Sequence, residues 1–255
     1  MKHVRKKFVN RTVLNENIVK VLDNFKPDLA ALSKAKEEKF VNQAALIQTK
    51  GGELIQSFKY IKDNELFFIA EPNPVVIYFE TSRMSYINIA KTKEKLFTEL
   101  NETYSTLNNF YPFYIHASTC ATFLFNSVEA FINGIIPNNF SYSRISKNKT
   151  ELFDRYQIQF NLPFEEKIKI VIPEITKKSF HKDFGAKYEN IIKLKDFRDS
   201  IMHTKSDNGK PAKFYEDLYT CALDFNYADT MNHVRDFLNY YEPNLIEDCN
   251  CGREF

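Results

Sequence analysis

Six consecutive residues, Arg198 to His203 (RDSIMH), bring together groups suited to chemistry. A guanidinium stays charged at any working pH, an imidazole exchanges a proton near neutrality, and the carboxylate of Asp199 stands between them. Such a set can grip a phosphodiester and move a proton. The segment belongs to the run IIKLKDFRDSIMHTK, residues 191–205, in which Lys195 and Lys205 add cations for binding a polyanionic substrate.

The elements that must position these groups follow from periodicity. Ile191, Leu194, Phe197 and Ile201 repeat at three, three and four, so the run reads as a helix that docks one stripe on the core. Lys195, Arg198 and Asp199 then lie nearer its edge, and the stretch Thr204 to Pro211 ends it. Five positions at about 100° each separate Arg198 from His203 by about 140°. The two converge only if the last turn frays at His203 or if two copies of the chain meet across a two-fold axis. Asp199 and His203, at i and i+4, share a face, a spacing at which the carboxylate can orient the ring. The plainer reading is a surface arginine, with Asp199 in an ion pair to Lys195 or His203.

A second helix is expected from Tyr111-Pro112 to Pro137, with Ala117, Ala121, Leu124, Val128, Phe131 and Ile135 on one apolar face. Phe123, Phe125, Ile132 and Ile136 widen the apolar cover, which makes this helix central. A polar seam runs through it: His116, Thr119, Thr122, Asn126, Glu129 and Asn133. An ordinary solvent face of that length would carry Lys or several Glu. The seam therefore also suits a contact with another helix or subunit, supporting the site through Asn126, Glu129 and Asn133, and a buried Glu129 would need a donor.

Elsewhere, Val13 to about Gln48 reads as two helices meeting near Pro27. Leu54 to Ile61, a Lys62-Asp-Asn turn and Leu66 to Ala70 read as a hairpin, with Val75 to Phe79 and Tyr86 to Ala90 as further strands. Lys91 to about Asn108 is amphipathic. Asn138 to Thr150 reads as a polar loop, Glu151 to Asn161 as a helix, and Pro163 to Pro173 as a short helix with Phe164, Ile168 and Ile172 inward. A closing helix over Asp224 to Tyr241 places Phe225, Ala228, Leu238 and Tyr241 inside. The expectation is a mainly α protein: an N-terminal α+β region, residues 1–108, with a small hairpin or sheet, and a C-terminal antiparallel helical bundle, residues 109–255.

A chain of 255 residues with 44% hydrophobic content can bury a large core, and a formal charge of +2 is no general polycation. No Walker-type glycine loop, GxGxxG, GxSxG, HExxH or EF-hand pattern occurs, so the corresponding enzyme classes lose their usual support. The cysteines Cys120, Cys221, Cys249 and Cys251 contain no CxxC pair, the basic N-terminus reaches no apolar leader core, and no apolar stretch matches a membrane span. A reduced, cytoplasmic protein is expected. Cys249 and Cys251 form a Cys-x-Cys whose nearest histidine in sequence is His233, so they read as a terminal segment, with no metal and no cofactor expected. His3, His181 and His233, each beside charged residues, read as solvated.

The stretch LKDFRDSIMHTK resembles the signature helix of HEPN (higher eukaryotes and prokaryotes nucleotide-binding) domains, an Arg followed by Asn, Asp or His and then by a His after four to six intervening residues. The order SVEAFINGIIP, PFEEKIKIVIPEI, motif helix and closing helix is similar to several HEPN families, over about Phe110 to Tyr241. The resemblance implies an all-helical, usually dimeric bundle that brings two motif helices together as a metal-independent endoribonuclease. It implies that His203 acts as general base or acid on the ribose 2′-hydroxyl or the leaving 5′-oxygen, that Arg198 braces the phosphorane charge and that Asp199 holds the pair. Products would carry a 2′,3′-cyclic phosphate. The partners implied are RNA, a second copy of the chain and an antitoxin or inhibitor protein, in toxin, phage-defence or stress systems. A catalytically inactive HEPN-like scaffold that binds nucleotide or RNA is the alternative, and an ordinary helical interaction protein a third reading.

Overall fold

A computed structural model of the chain describes residues 3–9, 18–23, 44–48, 54–146, 149–204 and 215–251. The chain divides into two compact units: Lys6–Asn73, and Met1–Arg5 together with Pro74–Phe255. The division falls after Asn73 rather than at 108/109, and the smaller unit is inserted into the larger one after Arg5.

The inserted unit is a four-stranded sheet in the order β1 (Ile18–Asp23), β2 (Ala44–Gln48), β3 (Leu54–Lys62) and β4 (Glu65–Ala70). β1 runs parallel to β2, and the remaining pairs are antiparallel. The expected β3–β4 hairpin is present, turning through Asp63 and Asn64 at φ 50° and 64°. Two successive positive φ values mark the turn type whose twist matches a hairpin, and Asp and Asn tolerate them. The helices expected over 13–48 are corrected to strands at β1 and β2; the other residues of that range lie outside the described residues. Three β-branched residues among six in IVKVLD outweigh the Ala- and Lys-rich composition around them. Entry and exit of this unit are tied together: Asn73 N–H donates to the Lys7 carbonyl at 2.9 Å, Phe8 bridges Pro72, and Val9 N–H donates to Glu71 at 2.9 Å.

The larger unit is mainly helical. Its first helix, α1 (Pro74–Thr103), replaces the strands expected over 75–79 and 86–90. Pro74 sits at the start, where its missing N–H costs nothing, and Val75, Phe79, Ser82, Arg83, Ile89 and Leu96 are buried at helical spacing. α1 folds back antiparallel on α2 (Phe110–Ile135): Tyr78 meets Phe123, the Ser82 hydroxyl donates to the Cys120 carbonyl at 2.9 Å, and Asn109 donates to Glu99 at 2.8 Å. Burial pushes the Cys120 thiol up to about 12, so it stays protonated and inert. α2 is as central as its pattern implies, with Phe113, Ala117, Ala121, Leu124, Phe125, Val128, Phe131 and Ile132 buried.

The polar loop expected at 138–150 is instead largely a hairpin, β5 (Tyr142–Ser146) with β6 (Lys149–Phe153). Cross-strand Arg144 and Glu151 pair at 2.7 Å, and Tyr142 stacks near Phe153. Helix α3 (Arg155–Asn161) then starts four residues later than expected, at a capping box in which Asp154 accepts from Gln157 N–H and Gln157 returns the bond. α4 opens as Phe164–Glu166, widens into a π-helical turn at Lys167–Val171 and closes as Ile172–Thr176. Pro173 does not end it. The wide turn just before gives room at the Lys169 carbonyl, which the proline ring would otherwise meet. Short α5 (Phe180–Asp183) precedes α6 (Gly185–Met202), followed by α7 (Glu216–Asp224) and α8 (Tyr227–Tyr241). On α8 the inward residues are Tyr227, Met231, Val234, Phe237, Leu238 and Tyr241, while Ala228 is exposed and Phe225 half-buried. Among the described residues no helix is long and apolar enough to cross a membrane.

Phe237 is fully buried and touches the rings of Phe131, Phe180 and Tyr241, so it joins α2, α5 and α8. Phe237→Ala is expected to lower unfolding free energy by about 3–5 kcal/mol, read from the urea midpoint at unchanged slope.

Candidate active site

α6 forms because its inward stripe, Tyr188, Ile191, Leu194 and Phe197, packs against the core around α2 and α8. That docking carries Arg198 up to the polar seam of α2. Its guanidinium lies over the ring of Phe125 at 4.2 Å from the centroid and pairs with Glu129 at 3.0 Å and with Asp199 at 3.1 Å. Phe125, one turn before Glu129, is itself fully buried and meets Phe164 of α4 at 4.8 Å. Arg198 is thus gripped from two helices, with 18% of its side chain left exposed. Its Nε is buried without a hydrogen-bond partner, as suits a group flattened on an aromatic face. Glu129 is not buried, its side chain being 43% exposed, and it pairs with this arginine without needing it for desolvation.

Lys195 completes the network. It donates to Asp199 at 2.8 Å and approaches Asp196 at 3.6 Å; the Asp199 bond, foremost, raises its pKa above the usual lysine value. The Asp199 carboxylate is therefore engaged by Lys195 and Arg198 rather than by the His203 ring. What reaches back from His203 is its backbone N–H, to the Asp199 carbonyl at 2.9 Å. α6 stays helical through Met202, and His203 caps it with φ −114° and ψ 43° and an exposed side chain. Within one chain the regular helix keeps Arg198 and His203 about 140° apart in azimuth. Lys205 lies outside the described residues.

Of the seam residues, Glu129 joins the motif directly. Asn126 and Asn133 are half-buried on the same stripe, and among the described residues no hydrogen bond ties their side chains to Arg198, Asp199 or His203; the Asn133 carbonyl accepts from Gln159 at 2.8 Å. Lys167 was not anticipated. It is buried to 8% exposure in the π turn, donates to the Gln159 carbonyl, and has its pKa lowered by burial, against which the charge of Glu129 works. A signal existed: Lys167 stands three residues after Phe164 and four before Val171, on the inward stripe of its own helix.

Three cations, Lys167, Lys195 and Arg198, thus stand with three carboxylates, Glu129, Asp196 and Asp199. An incoming phosphate meets a balanced cluster and must take Arg198 from a carboxylate. Another face of α6, with Lys193, Asp196 and Ser200, lines a cleft of about 470 Å³ together with Asp224 and Asn226; neither Arg198 nor His203 borders it. No family model, curated protein or solved structure matches the chain.

A double-mutant cycle of Glu129→Gln with Arg198→Met should give a coupling of about 1 kcal/mol in urea unfolding. The more exposed Lys195→Met with Asp199→Asn cycle should give about 0.3–0.5 kcal/mol.

Proposed function

We propose that the helical unit is a HEPN-type, metal-independent endoribonuclease that acts as a homodimer on single-stranded RNA. The observation that carries the reading is the pairing on one helix of an arginine held rigid by Phe125, Glu129 and Asp199 with an exposed imidazole at the helix end. A cation held in advance spends no reorganisation on meeting the phosphorane charge, and an exposed ring is open to the reacting oxygens. The azimuth between the two groups makes the composite arrangement the productive one: Arg198 of one copy serves the linkage on which His203 of the other acts. The ribose 2′-oxygen attacks phosphorus as its proton passes to one base, the bond to the 5′-oxygen breaks, and that oxygen leaves protonated. The product is a 2′,3′-cyclic phosphate, and DNA, without the internal nucleophile, resists. An antitoxin or inhibitor protein would act by covering His203 or blocking the dimer.

One observation favours a second reading, an inactive HEPN-like scaffold that binds RNA or nucleotide: each terminal nitrogen of Arg198 is paired with a carboxylate of its own chain.

Purified protein incubated with single-stranded RNA in EDTA separates the two. Wild type should release cyclic-phosphate ends, and Arg198→Ala and His203→Ala should each lose about 10²–10⁴-fold in rate with circular dichroism unchanged. Intact RNA across several sequences would favour the scaffold. Mixing the two inactive variants should restore about a quarter of wild-type activity, since half the dimers then hold one complete composite site of two; no recovery would sink the shared site.

A further inference from the structure

The two chain ends of the helical unit meet in a short antiparallel ladder. Val4 bridges Asp248, Cys249 N–H donates to the His3 carbonyl at 2.9 Å, and Arg5 N–H donates to the Glu247 carbonyl at 2.7 Å. Register then dictates chemistry. Residues directly opposite one another share a face and successive residues alternate, so His3, Cys249 and Cys251 project together while Val4 and Asp248 project to the other side. The ligating atoms of these three side chains all lie within 4.8 Å of one another, and Cys251 Sγ is 3.3 Å from His3 Nε2. The histidine read as solvated is buried, 4% exposed, and it supplies the ligand that the Cys-x-Cys lacked in its own neighbourhood.

We propose that His3, Cys249 and Cys251 bind one Zn²⁺, which clasps the N-terminal segment to the C-terminal one. Tetrahedral zinc with its usual bond lengths sets sulfur–sulfur and sulfur–nitrogen separations of about 3.8 and 3.5 Å. With all three atoms within 4.8 Å, no pair needs to close by more than about 1.3 Å to reach them. Two thiolates neutralise the divalent charge, and a neutral imidazole adds the third bond; water takes the fourth position. The backbone holds these ligands in place before metal arrives. Val4 is in the core and its N–H donates to Glu80 at 3.0 Å, and Glu80 is fixed in turn by Arg83. On the other side Leu245 and Ile246 are buried, Ile246 exchanges two hydrogen bonds with Asn239, and Asp248 pairs with Arg235. A site prepared in this way spends little chain entropy on binding, so the affinity of the donors is largely retained. The clasp is separate from the Arg198 network and does not depend on its function.

The test uses the full chain, purified with Zn²⁺ and then dialysed against metal-free buffer. Elemental analysis should find one zinc per chain in wild type and in Cys221→Ser, whose exposed thiol is outside the cluster. Cys249→Ser and His3→Gln should each fall below about a tenth of that. Cys251→Ser, changed at an exposed position, should keep the circular dichroism of wild type yet lose zinc equally. Co²⁺ added to metal-free wild type should give the thiolate charge-transfer band, absent in Cys249→Ser. Wild type without retained zinc or cobalt band, equal zinc in Cys251→Ser, or a Cys249–Cys251 disulfide in protein isolated under reductant would each overturn the proposal.

Discussion

One arginine ties two helices of the helical unit together at its polar seam. Arg198 lies flat on Phe125 and reaches Glu129 one turn further along α2, so its guanidinium fastens α6, already docked by its apolar stripe, to that seam. Phe125 carries the contact onward, since its ring also meets that of Phe164 on α4, whose π turn buries Lys167. A charged group is tolerated there because aromatic face and anion together replace the water it loses. Its remaining 18% exposure is what leaves it within reach of anything outside.

The same clamp defines a tension in the site. Holding a guanidinium still is useful for stabilising charge that develops during a reaction, yet the groups that hold it are themselves anions. A phosphate that takes Arg198 from Glu129 or Asp199 gains a fixed partner, but the displaced carboxylate stays in the cluster, so the same cations then face added negative charge. Binding of that kind depends on ionic competition more than on shape.

Where periodicity was long and bounded by prolines, as in α2, the element could be read directly. The β3–β4 hairpin was legible for a similar reason, its turn residues being suited to left-handed backbone. Local propensity misled where tertiary packing decided: VVIYF has the composition of a strand, but the seating of Ser82 against Cys120 makes it the first turns of α1. β5 and β6 were hidden because the Arg144–Glu151 pair exists only once the register does. The cluster at the chain ends was beyond any local reading, since Cys251 and His3 are 248 positions apart. At the motif, spacing placed Asp199 and His203 on one face, but a lysine four residues earlier in the helix took the carboxylate first.

The passages that lead into and out of the inserted sheet run side by side, joined through Lys7 and Asn73 and through Phe8 and Pro72. An insertion whose two ends are paired in this way interrupts its host at one place in sequence. Because the segment leaves and returns through paired backbone, the helical unit is broken in sequence only between Arg5 and Pro74, and its own elements follow one another without further interruption by the sheet.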